Sequence, residues 1–322
     1  MSRPRAALWG LMAGAACIST AAPLAAASGL PPSVSAFWRM AFGGAILAVA
    51  LVVSGRWRTG GWRDWAWMSV PALAFAADLW LWHRSIVAVG PGLSTLLANF
   101  QVFVMALAGF VFFRERLGPR YLAGLVLAAG GLWLLLGRDW GGLSDAYRHG
   151  VWFGLATGLA YAVYLLSFRQ VQRRHSSLPT IQLLAIASLL CAPMLGMAGL
   201  AEGRSFVIPT LHALAALLAL AVLAQCLGWW LIASAMPRLS ASAVGLGLLL
   251  QPLLAFLQDV LLFGRPTLPI EWLGLSLALI GIFFGTRASA AAAPVAATDG
   301  PAQTHPAAAV EARPERRPPS DE

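Results

Sequence analysis

Residues 79–138 read LWLWHRSIVAVGPGLSTLLANFQVFVMALAGFVFFRERLGPRYLAGLVLAAGGLWLLLGR, and residues 229–287 read WWLIASAMPRLSASAVGLGLLLQPLLAFLQDVLLFGRPTLPIEWLGLSLALIGIFFGTR. A shift of 150 lays the first on the second without a gap: Trp80 falls on Trp230, Gln101 on Gln251, Gly124 on Gly274 and Gly131 on Gly281. A second echo, at a shift of 143, puts Trp9 on Trp152. The chain therefore reads as a duplication, and the next question is what solvent the two copies face.

Composition answers it. Of 322 residues, 59% are hydrophobic and 11% charged, with a mean hydropathy of +0.73. A soluble domain carries about 25% charged residues, so this surface is built for lipid. All 22 basic residues are arginine, against 13 acidic ones. They sit in short clusters between long apolar runs instead of lining one face, which excludes nucleic-acid binding and points to membrane orientation. Cys17, Cys191 and Cys226 lie within apolar stretches without paired spacing, and the histidines stand at no metal-ligand spacing, so neither a disulfide, a metal nor a cofactor is expected.

Ten apolar segments follow along the chain, at about 6–27, 34–53, 65–84, 91–113, 119–136, 150–169, 180–200, 211–232, 240–263 and 270–286. Each approaches the ~20 residues that span a bilayer at 1.5 Å per residue. The first is longer than the ~7–15 apolar residues of a secretory signal and reads as a helix. Their connections carry turn chemistry, as in Gly29-Leu30-Pro31-Pro32 and Val89-Gly90-Pro91, and leave no room for an extramembrane domain. This predicts an all-α polytopic membrane protein: a first five-helix repeat over 1–148, a second over 149–287, and a disordered cytoplasmic tail over 288–322.

Orientation follows from the arginines. With the N-terminus inside, Arg3, Arg5, Arg56, Arg58, Arg63, Arg114, Arg116, Arg120, Arg169, Arg173, Arg174, Arg238 and Arg287 fall on the cytoplasmic side. The other side receives Arg39, Arg84, Arg138, Arg148, Arg204 and Arg265, with Arg39 and Arg84 at helix ends. This positive-inside bias places both termini in the cytoplasm. Five helices per copy is an odd number, so the second copy enters the membrane from the opposite side. Inverted repeats of this kind can exchange outward-open and inward-open states around one midplane site.

A polar side chain at membrane depth costs about 2.5–3.5 kcal/mol on the insertion scale and asks for a partner or a wet cavity. Asp78 and Asp259 are the carboxylates inside spans. Asp78, with Trp82 one turn on along the same face, is either a proton carrier or structural glue to a neighbouring helix; Asp259 sits nearer the end of its span. His83 and Arg84 read as interfacial residues capping the third helix, or as ligands for a substrate carboxylate. Asn99, Gln101, Gln225, Gln251 and Gln258 are uncharged hydrogen-bonders in apolar surroundings. Gln101 and Gln251 are repeat equivalents and either share a cavity or tie helices together. Thr157, Tyr161 and Tyr164 share one helix face, suited to a cavity or to packing. Trp80 and Trp230 fit a cavity wall or a lipid-facing anchor. The expected site is a central cavity among helices 3, 4, 8 and 9, bordered by Asp78, Gln101, Trp230 and Gln251.

The end of the first copy carries a resemblance. An apolar helix, then Phe112-Phe113-Arg114-Glu115-Arg116-Leu117, then a helix with Gly124 and Gly131 resembles the EamA family of the drug/metabolite transporter superfamily over residues 5–287. Arg39, in Ala36-Phe37-Trp38-Arg39, stands where that family often carries an arginine. The second copy departs from the pattern, with Arg265 in place of the motif's Glu, and the first has Val102 where the second has Pro252. The resemblance implies an inner-membrane secondary transporter, in many members an exporter of amino acids or other small metabolites driven by proton exchange, and a monomer or homodimer. No HExxH, GxSxG or paired-Asp motif argues for an enzyme. A non-transporting scaffold or sensor is the alternative from another class.

Overall fold

A computed structural model describes residues 3–113, 117–136, 144–264, 267–270, 272–277, 280–281 and 284. The Arg114-Glu115-Arg116 loop, Arg138, Arg265, Arg287, the tail and the Asp259 side chain lie outside the described residues. Among the described residues, eight helices are long and apolar enough to cross a membrane: α1 (Arg5–Ala27), α2 (Pro32–Val53), α3 (Trp62–Val89), α4 (Pro91–Phe112), α6 (Asp145–Arg173), α7 (Thr180–Ala201), α8 (Leu211–Arg238) and α9 (Ala241–Leu262). Between α4 and α6 lies α5 (Pro119–Leu136), and the described helical residues between 269 and 284 form α10. No strand occurs among the described residues. Helices α3 and α6, of 28 and 29 residues, overrun the spans that hydropathy marks: polar residues extend both ends of α6 and the start of α3, and the largely apolar residues 85–89 extend α3 beyond His83 and Arg84.

Packing reveals how the copies are related. Helix α1 packs on α8 as α6 packs on α3; α2 meets α8 as α7 meets α3; and α1 meets α9 as α6 meets α4. The pairs α2–α7 and α4–α9 are their own counterparts. At the α5–α10 crossing a Cβ on Gly281 would stand 2.5 Å from the Gly124 carbonyl oxygen, so only glycine admits that approach. These contacts recur when each helix is exchanged for the one five places away, the signature of a twofold-like relation. Even the entry turns agree: Pro31 and Pro179 both hold extended backbone, at φ −54° and −59°, immediately before α2 and α7.

Helices α4 and α9 are both broken midway, by different chemistry. In α9, Pro252 has no N–H to offer the Leu248 carbonyl, and the Gln251 amide donates to it instead at 3.0 Å. In α4, Val102 stands in the proline's place. There the Asn99 amide turns to Leu96 O at 3.1 Å, and the Asn99 side chain donates to the abandoned Thr95 carbonyl at 2.7 Å. The breaks cross each other, with Gln101 Nε2 donating to Gly245 O at 3.2 Å. A stretch of π-helical turns, Leu220–Gly228, interrupts α8 just before Trp229.

Candidate functional site

Where the broken helices meet α2, α3 and α6 lies a small cavity lined by Arg39, Asp78, Asn99, Tyr161, Trp229 and Gln251 among others. Its two charged residues come from the first copy. Asp78 lies midway along α3 and is 7% exposed, and Arg39, one antiparallel helix over on α2, is 2% exposed. Proline at the first turn starts α2 at Pro32, which carries Arg39 seven residues into the membrane. The expectation of Arg39 at a helix end is thus corrected.

The two charges face one space without touching. Neither Arg39 nor Asp78 makes an ion pair or hydrogen bond among the described residues, and Arg39 Nε is fully buried without a partner. The Arg39 guanidinium sits 5.9 Å from the ring centres of both Phe75 and Trp82, a separation at which cation–π attraction offsets part of its desolvation. Behind these rings, Phe75 stacks on Tyr164 at 4.2 Å and Trp229 meets Tyr164 edge-on at 4.8 Å. A packed aromatic wall of this kind fixes where the charges stand.

The second copy supplies neutral groups. Gln251 donates to the Tyr161 hydroxyl at 3.2 Å across the cavity wall. Trp229 Nε1 and Asn99 Oδ1 are buried and unpartnered among the described residues. Buried polar groups without partners are costly unless something else fills the role, so the cavity presents spare donors at Arg39 and Trp229 and spare acceptors at Asp78 and Asn99. Its volume in this conformation is about 40 Å³, space for roughly three waters at ~10–15 Å³ each. The cavity is closed down.

Other expected residues lie elsewhere. Gln101 packs at the α4–α9 crossing and does not line the cavity. Gln225 donates to Ser188 Oγ at 2.9 Å, and its side chain fills the gap left by Gly43, so it joins α8 to α7 and α2. Tyr164 backs the aromatic wall, and Trp82 borders the cavity. Trp230 is 42% exposed on the outside of the bundle, whereas its neighbour Trp229 faces in. His83, expected at the interface, is 2% exposed and bonds Leu79 O through Nδ1 at 2.8 Å, because α3 runs on to Val89 and leaves it within the helix. Arg39, Phe75, Thr95 and Trp229 are among the lining residues that the sequence reading did not assign to the site. For Arg39 the signal was its depth in the run from Ala36 onward.

The description that matches this chain, and matches it twice, over residues 5–137 and 148–287, is the EamA-like transporter family. The chain belongs to that family. It is a multi-pass membrane protein of a family described as transporters. It is 26% identical to the uncharacterized transporter YwfM of Bacillus subtilis over 267 residues, 82% of this chain and 86% of that one. An uncharacterized protein of Pseudomonas aeruginosa is 33% identical over 236 residues, 72% of this chain and 76% of its own. In architecture the EamA-like fold here matches a protein crystal structure at a TM-score of 0.71 and 22% identity, covering 89% of this chain and 99% of the other.

Proposed function

We propose that this EamA-like protein is a secondary transporter of the bacterial inner membrane that exports amino acids or other small metabolites by alternating access, with both termini cytoplasmic. The observation that carries this reading is the pair Arg39 and Asp78, both buried, lining one small cavity between the copies and unpaired with each other. A carboxylate ligand suits Arg39 and Trp229 Nε1; an ammonium suits Asp78 and Asn99 Oδ1. A zwitterion satisfies both ends at once, and the aromatic wall suits an apolar side chain. Interhelical contacts must part to admit it, because the closed cavity is too small for any such solute.

Asp78 also supplies the coupling. Its carboxylate can hold a proton or the ligand's positive charge, and one excludes the other, so ligand arrival releases the proton. Counterflow in proteoliposomes tests the reading, using a panel of amino acids with and without a pH gradient. The expected result is accumulation of at least one zwitterionic amino acid, enhanced by the gradient. Accumulation no greater than in empty liposomes for the whole panel would overturn it.

A further inference from the structure

The copies meet again at each membrane face, and the two closures are built from different chemistry. On the face where α1 begins, the α2–α3 loop meets the α6–α7 loop. Gln182 donates to Arg58 O at 2.7 Å and accepts from the Arg58 amide at 3.0 Å. Ser176 donates to Asp64 Oδ1 at 2.6 Å, and the Trp67 and His175 rings stack at 3.9 Å. On the far face, the pseudo-equivalent elements are the start of α2 and the end of α7. Trp38 Nε1 donates to Phe206 O at 3.1 Å, and Phe206 lies edge-on to Phe37 at 5.0 Å.

Only this far closure has an ion pair at its heart among the contacts just described. Arg84, near the end of α3, pairs with Glu202, the residue capping α7. Glu202 also accepts from Ser33 Oγ at 2.9 Å and Trp80 Nε1 at 3.2 Å, and the Arg84 guanidinium lies 3.6 Å over the Trp80 ring. One carboxylate thus ties α2 and α3 to α7.

The same two helices carry the cavity charges. Ser33 and Arg39 are six residues apart on α2, and Asp78 and Arg84 are six apart on α3, which places the clasp about 9 Å above the site along each helix at 1.5 Å per residue. The side chains are only partly exposed, 18% for Arg84 and 26% for Glu202, so water reaches the pair and salt can screen it.

We propose that the Arg84–Glu202 clasp, seated on Ser33 and Trp80, is the far-face gate of the cavity, an ionic latch that opens while the hydrogen-bonded closure at the other face stays shut. The proposal takes the alternating-access reading as its frame but needs no substrate to test. A Thr157→Cys reporter in the cavity is introduced into the full chain, with Cys17, Cys191 and Cys226 changed to alanine, and a membrane-impermeant thiol reagent is applied to vesicles of each orientation. With R84A, and separately with the milder E202Q, labelling from the far face should rise about fivefold or more, with no rise from the opposite face. The charge-swapped R84E/E202R pair should return labelling toward the parent. In the parent chain, raising salt from about 0.1 to 1 M, which shortens the screening length from roughly 10 to 3 Å, should speed far-face labelling in the same direction. Equal labelling in all variants, a rise from both faces, or no effect of salt would overturn the latch. A failed counterflow assay alongside a working latch would instead count against the transport reading alone.

Discussion

The two copies agree in backbone and differ in charge. The principal helix pairings correspond, yet Arg39 has Ala187 at its counterpart position in α7, Asp78 has Gly228, and Asn99 has Leu249. On the proposed alternating-access reading, a twofold scaffold gives interchangeable halves to two access states of similar energy. The site departs from twofold symmetry, as the proposed ligand with two unlike ends requires. Duplication supplies the machine, and divergence at a few buried positions supplies the chemistry.

The sharpest way to break that contrast is to remove the charges. Truncating one partner of a buried charged contact costs about 2–5 kcal/mol, so R39A should lower zwitterion exchange roughly 30-fold or more. D78N should abolish accumulation driven by a pH gradient while leaving measurable exchange at high substrate, because an amide still accepts a hydrogen bond but carries no exchangeable proton. Both are read by counterflow with and without the gradient. An unchanged pH-driven flux in D78N would return Asp78 to helix packing.

Next in size is the scaffold itself. On α6, a Cβ at Gly158 would stand 2.9 Å from Ala98 O, at the break of α4. One turn earlier a Cβ at Gly154 would stand 2.6 Å from Leu97 Cβ, and the counterpart of that contact inverts the roles: there Leu11 of α1 reaches over Gly247, beside the break of α9. Overpacking a tight contact costs typically ~1–3 kcal/mol. G158L should therefore lower the thermal unfolding midpoint of the purified protein and displace the α4 break, with loss of flux in proportion to the folded fraction or beyond it. A fully active, equally stable G158L would mean that the break tolerates sliding and is not a fixed element of the site.

These contrasts also show what the sequence could and could not reveal. The gapless shift of 150 made the duplication, the inverted halves and the helix order legible, since hydropathy and repeat spacing survive divergence. The break in α9 was written in Pro252. Its twin in α4 was not, because Asn99 achieves the same result with a side-chain hydrogen bond that any buried asparagine might or might not make. Gln101 and Gln251 looked equivalent, and their backbones are, but only Gln251 lines the cavity. Arg39 read as a helix-end residue because the apolar run begins only at about 34, whereas the helix begins at Pro32 and sets Arg39 seven residues in. Direction around a helix was least legible at α8: i→i+5 bonding over Leu220–Gly228 changes which side chain faces inward, and a regular 3.6-residue reading has no means of registering that change.

A smaller effect belongs to the neutral side of the site. Y161F removes the hydroxyl that Gln251 Nε2 reaches at 3.2 Å. Interhelical hydrogen bonds in membranes average about 0.6 kcal/mol, so the expected change is roughly threefold in half-saturating substrate with little change in stability. An effect as large as that of R39A would give the second copy a recognition role equal to the first.

The smallest effect is expected at the two adjacent tryptophans, where the comparison can be made within a single dipeptide. Trp230 faces out, 42% exposed, and a surface substitution away from special features stays within about 0.5 kcal/mol, so W230F should leave exchange within about twofold of the parent. Trp229 is 2% exposed and lines the cavity with an indole N–H that has no partner among the described residues. W229F keeps the aromatic wall but deletes that donor. If the N–H meets the ligand carboxylate beside Arg39, W229F should weaken exchange of carboxylate-bearing solutes by more than W230F does, and spare an analogue in which the carboxylate is an uncharged ester. Equal, small effects for both substitutions would mean that Trp229 contributes only its ring, and that the carboxylate is held by Arg39 alone.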